Sequence, residues 1–233
     1  MIRFMPPTLM LIVSSCLLII FLVHSRAQRP LQPLSNEDRL VFSEDFSQTD
    51  SLEHFTQGEP DLDHEAGEKG QAAWSIKDGR LHASKAHNAA LWLKTKLPQG
   101  DVRVTFKVWA HSDEGDVKCE FLGDGKHHQS GYILINGGWK NSVRAIARQD
   151  EHGEDRHNDH ACKNSPARHC ITKDKEETWV IERIGGTVYW YIDEALALTY
   201  RDPHPLQGRS FAFNNWSAPS SFDDLKVYRL HGE

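Results

Sequence analysis

Apolar and polar residues alternate with a period of two over most of this chain. The clearest case is Asp101 to Trp109, where Val102, Val104, Phe106 and Val108 point one way and Arg103, Thr105 and Lys107 the other. That pattern predicts an antiparallel strand with one buried and one wet face. Thr178 to Leu230 reads as a run of strands. Val180, Glu182 and Ile184 share a face of one, and Val188, Trp190 and Ile192 share a face of the next. Gly185-Gly186 between them is a hairpin signal, because a tight turn needs positive φ and glycine supplies it. Asp193-Glu194 marks another reversal.

Further strands are predicted at Val41 to Phe46, Ala73 to Ile76, Arg80 to Ala83, Val117 to Leu122, Tyr132 to Ile135 and Val143 to Arg148. Ser51 to Phe55 is read as one helical turn, and helical periodicity is otherwise almost absent. The stretch from Gln149 to Lys175 is polar, histidine-rich and without a strand pattern, so it is read as a long loop. About a dozen short strands with frequent turn signals predict an all-β, two-sheet antiparallel sandwich or jelly roll.

The first 27 residues stand apart. Arg3 precedes an apolar run from Thr8 to Val23, and Ser25-Arg26-Ala27 resembles a small-x-small cleavage site. Residues 1–27 are therefore read as a signal peptide, with an uncleaved anchor through 8–23 as the alternative. Residues 28–39, with Pro30 and Pro33, form a linker, and 40–231 form one domain. Export to the periplasm, the cell surface or the medium follows from either leader reading.

Beyond the leader, 25 basic residues face 33 acidic ones, a net charge of −8 with the histidines neutral. Such a surface is poorly suited to nucleic acid. It suits neutral sugars or basic partners, and contact with a membrane is expected only through the N-terminal segment. A monomer is expected. Three cysteines remain after the leader. Cys162 and Cys170 bracket a short polar loop and are paired here as a disulfide, as export would permit. Cys119 alternates with Val117 and Phe121 and is read as a buried free thiol.

Several motifs together carry a resemblance. Phe42-Ser-Glu-Asp-Phe46, Trp74-x-x-x-Asp78-Gly79, Trp179-x-Ile-Glu-Arg183, Tyr191-Ile-Asp193 and Phe222-Asp-Asp-Leu-Lys-Val-Tyr228 resemble the concanavalin A-like lectin/glucanase superfamily over roughly Leu40 to Leu230. Within it the chain looks most like YesU-type and 3-keto-disaccharide-hydrolase-type domains. The resemblance implies two curved sheets and, in many relatives, a concave face that binds carbohydrate. It also implies a structural calcium where the terminal strands meet; Asp45 and Asp223 sit on those strands and supply the hard oxygen ligands calcium prefers. The chain departs from the family 16 glucanases in lacking Glu-x-Asp-x-x-Glu, whose spacing places two carboxylates across one glycosidic bond. The nearest pattern, Asp116-Val-Lys-Cys-Glu120, has a lysine between acids that share a strand face.

Candidate ligand-binding residues are Trp139 and Trp216, with Asn141 beside the first. An indole stacks on a pyranose ring while amides bond its hydroxyls. The alternative role for both tryptophans is capping the core. Trp109, Trp179 and Trp190 fit the core or a sheet surface equally. His128 follows a hairpin turn at a rim position. Candidate catalytic residues are Glu120, Arg148 and His152, with Glu151 as another possible acid or base. His157 and His160, three apart among aspartates, are candidate transition-metal ligands.

These features favour an exported carbohydrate-binding module. The alternatives are a glycoside hydrolase or polysaccharide lyase with the 148–160 strip as one wall of its site, and a structural envelope protein that binds no sugar.

Overall fold

Strand-forming alternation runs almost unbroken through the structure, a computed structural model that describes residues 29–58, 74–159, 162 and 169–231. The leader, residues 1–27, lies outside the described residues. Fifteen strands are formed among them: β1 (Arg39–Glu44), β2 (Phe55–Gln57), β3 (Trp74–Lys77), β4 (Arg80–Ala83), β5 (Leu91–Leu93), β6 (Val102–Ala110), β7 (Val117–Gly123), β8 (Tyr132–Gly137), β9 (Val143–Arg148), β10 (Arg156–Asp159), β11 (Glu177–Ile184), β12 (Thr187–Ile192), β13 (Ala195–Arg201), β14 (Ser210–Asn215) and β15 (Ser220–Arg229). A 3-10 turn, Ser51–His54, occupies the place of the predicted helical turn.

The strands form two antiparallel sheets. One has eight strands in the order β13-β12-β11-β6-β15-β4-β3, with β1 also on β15; the other has seven, in the order β10-β9-β8-β7-β14-β5-β2. Their facing sides make one apolar core. Val102, Val104, Phe106 and Val108 enter it from β6, and Val117, Cys119 and Phe121 enter it from β7. Phe213 of β14 meets Phe222 of β15 with ring centroids 4.4 Å apart, which locks the two sheets together through aromatic contact. Trp179 and Trp190 are fully buried in the same core, 4.6 Å apart. Trp109 lies instead on the outer side of β6, beneath the Arg80 guanidinium at 3.8 Å.

Besides the three-residue strands β2 and β5, which no pattern predicted, the structure departs from the sequence reading at Arg103 and at β10. Arg103, expected on a wet face, is buried. Residues of the expected linker cover that face: Arg103 Nη2 donates to the Gln32 carbonyl at 2.7 Å, and Arg29 stacks over Tyr189 at 5.0 Å. Arg103 also pairs with Glu182, so its charge is compensated inside the protein. The second departure is β10, which lies within the segment read as a loop. It pairs with β9 from Arg156↔Ala147 to Asp159↔Arg144. As an edge strand with polar residues on both faces it has no alternation to reveal it.

Cys162 and Cys170 form a disulfide, and Cys119 is free and buried. No helix among the described residues is long and apolar enough to cross a membrane.

Candidate functional site

The site is built on the outer face of the seven-stranded sheet. Because Cys119 and Phe121 enter the core, Lys118 and Glu120 must leave β7 on the opposite side. Around them that outer face is apolar: Ile133, Ile135 and Ala147 form one buried cluster, and Ala90, Trp92 and Ala212 another. The turns after β7 and after β9 are tied together over it. Glu151 N donates to Gln129 Oε1 at 2.8 Å, and Gln129 N donates to Glu120 Oε2 at 3.1 Å.

Beside this cover a cavity of about 350 Å³ remains open, lined among others by Asp116, Lys118, Trp139, Glu151, His152 and Trp216. Its size falls within the range of small-ligand clefts, about 300–1,000 Å³.

Lys118 is the centre of its charge pattern. Its buried ammonium donates to Asn88 Oδ1 at 2.9 Å and to Glu151 Oε2 at 3.0 Å, and lies 4.0 Å from Asp116 Oδ1. Burial works against this charge, but Asp116 and Glu151 outweigh it and hold the ammonium above its ordinary value. Glu151 responds in kind. Burial pushes its carboxyl up, yet Lys118 and His128 bring it below the usual range. Asp116 moves the other way: burial raises its carboxyl, and Lys118 only partly offsets that.

Trp139 is presented by a turn of unusual handedness. Gly137, Trp139, Lys140 and Asn141 all have positive φ, from 51° to 75°. A left-handed residue costs roughly 1–2 kcal/mol unless it is glycine, so this turn must be held from outside. Asn141 holds it. Its Oδ1 accepts from the Cys170 and Ile171 amides at 2.9 and 3.0 Å, and its Nδ2 donates to the Asp113 and Ile171 carbonyls at 3.1 and 2.8 Å. A Cβ on Gly137 would come within 2.7 Å of Asn141 Oδ1, so only glycine fits there. The turn leaves Trp139 40% exposed, with Arg156 stacked on its ring at 4.4 Å and His152 edge-on at 5.8 Å. Trp216 sits on the same cavity, edge-on to His87 at 4.9 Å and 6.0 Å from the Lys118 ammonium.

Of the residues singled out in the sequence, Trp139, Trp216, His152 and Glu151 meet at this cavity. Asn141 is fully buried and braces the Trp139 turn. Glu120 and His128 lie under the cover. Glu120 accepts from His128 Nδ1 at 2.7 Å and Asn214 Nδ2 at 2.9 Å, in addition to Gln129 N. Arg148 leaves β9 on the Tyr132 side, where its Nε meets Asp202 Oδ2 at 2.8 Å and Tyr132 donates to the same oxygen at 2.6 Å. His157 packs against Tyr200 with the rings tilted and their centroids 4.4 Å apart, and His160 lies outside the described residues. Asp45 is exposed, with Oδ1 on the Ser47 amide, and Asp223 on β15 accepts from the Asp224 amide. Among the described residues, no group of three or more His, Cys, Asp or Glu side chains is arranged to hold a metal ion.

Sequence reasoning places Asp116 in an imperfect glucanase pattern and gives Lys118 and Asn88 no role in a site. A lysine at an outward position between two acids is the available signal for a buried charge cluster.

The chain matches no protein family and no curated protein. Solved structures do resemble it. A carbohydrate-binding module, CBM66 from Bacillus subtilis, superposes with a TM-score of 0.54 at 13% identity, covering 68% of this chain and 92% of the module. A laminarinase from Flavobacterium sp. UMI-01 gives 0.57 at 12% identity over 82% of this chain and all of the enzyme. The shared fold is a two-sheet antiparallel β-sandwich of the jelly-roll kind. A Bacillus licheniformis β-glucanase agrees, with a TM-score of 0.52 at 11% identity over 82% of this chain and 98% of that enzyme. At these identities the likeness concerns the fold; the chemistry of the jelly roll's cavity has to come from its own residues.

Proposed function

We propose that this domain is an exported carbohydrate-binding module that takes a sugar into the cavity between Trp139 and Trp216. The observation that carries the reading is the cavity's make-up. Two tryptophans border a floor of charge: the buried, hydrogen-bonded Lys118–Glu151 pair with the half-buried Asp116 beside it. An indole offers an apolar face for the C–H side of a pyranose, and charged groups already stripped of water bond hydroxyls strongly. The exposed Trp139 is held in a left-handed turn by Asn141, so the ring is set in place before a ligand arrives and little ordering cost remains. The structural neighbours that are carbohydrate-binding modules and glucanases support the reading.

A glycan array probed with the purified protein tests it. Retention of a defined set of oligosaccharides by the native protein, lost in Trp139→Ala and Trp216→Ala with melting temperature preserved, is the expected result. Equal retention by native protein and both variants would overturn it.

A further inference from the structure

The cations around the cavity converge on one of its carboxylates. Lys118 Nζ lies 3.0 Å from Glu151 Oε2, His128 Nε2 lies 4.0 Å from the same oxygen, and His152 Nε2 lies 3.5 Å from Glu151 Oε1. Asp116 has no such company. Its nearest cation is the same Lys118 ammonium at 4.0 Å, beyond hydrogen-bond distance. Among the described residues, no donor hydrogen-bonds its carboxylate. Its side chain is only 20% exposed, so Asp116 borders the cavity as a carboxylate largely removed from water and without a donor of its own.

The rest of the lining does not supply that donor. Lys118 spends its ammonium on Asn88 Oδ1 at 2.9 Å and on Glu151. Lys140 is exposed at the rim and is matched there by the exposed Glu114, two residues before Asp116. The floor is left with two carboxylates against one ammonium. The aromatic walls lean the same way, because an indole face attracts cations. Both rings already lie near one: Arg156 stands 4.4 Å from the Trp139 centroid and the Lys118 ammonium 6.0 Å from that of Trp216. The Asp116 amide donates to the Gly137 carbonyl at 2.8 Å, at the start of the left-handed turn that presents Trp139. The carboxylate and the indole are thus fixed to one frame.

Resting on the carbohydrate-binding reading, we propose that the sugar this cavity selects is an amino sugar with a free, protonated amine, its ammonium held by Asp116 while Trp139 and Trp216 take the pyranose. A hydroxyl can also donate to Asp116, but an ammonium brings a full charge and three donors. Charge-assisted bonds of that kind are roughly twice as strong as neutral ones. An N-acetyl group in the same place has a neutral amide with one hydrogen and adds an acyl group that the carboxylate does not need. A sugar carrying a carboxylate would meet Asp116 as a like charge and lose affinity. Glu120 has no part in the choice, since both its oxygens are engaged with His128, Gln129 and Asn214 under the cover.

The test titrates the purified protein with oligomers of N-acetylglucosamine and of N-acetylgalactosamine, each beside its de-N-acetylated form and the hexose oligomer of the same linkage. The native protein should bind at least one amine-bearing oligomer about tenfold or more tighter than both neutral counterparts. In Asp116→Asn that ratio should fall to near one. Attraction of a polycation to the acidic surface as a whole would leave the ratio intact in Asp116→Asn, and that result overturns the proposal. If Asp116→Asn fails to fold, an N-acetylated oligomer with a single free amine decides on the native protein. The site needs one ammonium and should keep its preference, whereas surface attraction needs many and should lose it. Retention of neutral oligosaccharides with no preference for any amine form overturns this inference and leaves the binding reading standing. No glycan bound at all overturns both.

Discussion

The Lys118 ammonium and the Glu151 carboxylate are joined 3.0 Å apart beneath the cavity, with both side chains buried. This ion pair ties strand β7 to the turn after β9, and with it the floor of the site to its rim. Removing one partner of a buried pair leaves the other charge uncompensated, at a cost of about 3–5 kcal/mol. Lys118→Met should therefore lose about that much stability at pH 7, measured by urea denaturation.

The same pair predicts a dependence on acid. Glu151 has a lowered folded-state value, so its contribution is present above the unfolded carboxyl value of about 4.3 and fades as pH falls through the folded value. Lys118 is raised, so its contribution is full below about 10.4 and fades only as pH rises past its folded value. Asp116 is raised and opposes Glu151. Its contribution is full below about 3.9 and falls away as pH rises through its folded value. The stability deficit of Lys118→Met should accordingly shrink as pH is lowered from 7, because without Lys118 the buried Glu151 carboxyl takes up a proton before it does in the native protein and so sheds its uncompensated charge. Denaturation curves of both proteins across that range check this, and a deficit constant with pH would refute the assignment.

Trp139 and Trp216 should be separable from the fold. Trp139 is 40% exposed and lies outside the core clusters, so its truncation should shift stability by less than about 1 kcal/mol. Loss of a ring that stacks on a sugar should cost tenfold or more in affinity, about 1.4 kcal/mol. Calorimetric titration with a retained oligosaccharide, beside thermal unfolding of the same Trp139→Ala preparation, measures the two effects.

Much of the fold was legible because a period of two survives wherever one strand face is buried. Val102 to Val108 and Cys119 with Phe121 enter the core as their alternation requires. Where the signal failed, a physical reason can be given. Strand β10 is polar on both faces, and β2 and β5 have three residues each, too few for a period to show. Arg103 reads as solvent-facing until residues 29–38, distant in sequence, close over it. The site was legible only in part. Trp139 and Trp216 could be picked out as aromatics beside asparagine and glycine. The pairing of Asp116 with Glu151 could not, because it depends on a turn folding back over β7. Asn141 has the residue type of a sugar ligand, yet its amide is consumed by backbone groups of two loops, a distinction that burial makes and composition does not.

Asn141 should prove as important to binding as the ring it supports. All four of its hydrogen bonds go to buried or half-buried backbone groups. Asn141→Ala removes them and withdraws the brace from left-handed Trp139 and Lys140. An unsatisfied buried group costs about 1–3 kcal/mol, so a loss near 3 kcal/mol is expected. Oligosaccharide affinity should fall as well, although Asn141 does not line the cavity. Unchanged affinity in a folded Asn141→Ala protein would show that the turn keeps its shape without the clamp.

The disulfide stands behind that clamp. Cys170 and Ile171 supply the amides that Asn141 accepts, and Cys162–Cys170 closes the segment leading to them, with a sequence separation of 8. A loop of that length gains about 2.5 kcal/mol from closure in the chain-entropy account. Replacing both cysteines by serine should cost about that amount and should weaken oligosaccharide binding in the same direction as Asn141→Ala. The remaining thiol offers an internal control. Cys119 is fully buried, and burial pushes its thiol well above the ordinary value, so it should stay unreactive toward a thiol reagent until the protein unfolds. Beyond the leader, the native protein should therefore show no reactive thiol before reduction. After mild reduction it should show two, with affinity falling as they appear. Reduction that releases both thiols and leaves affinity untouched would uncouple the disulfide from the site.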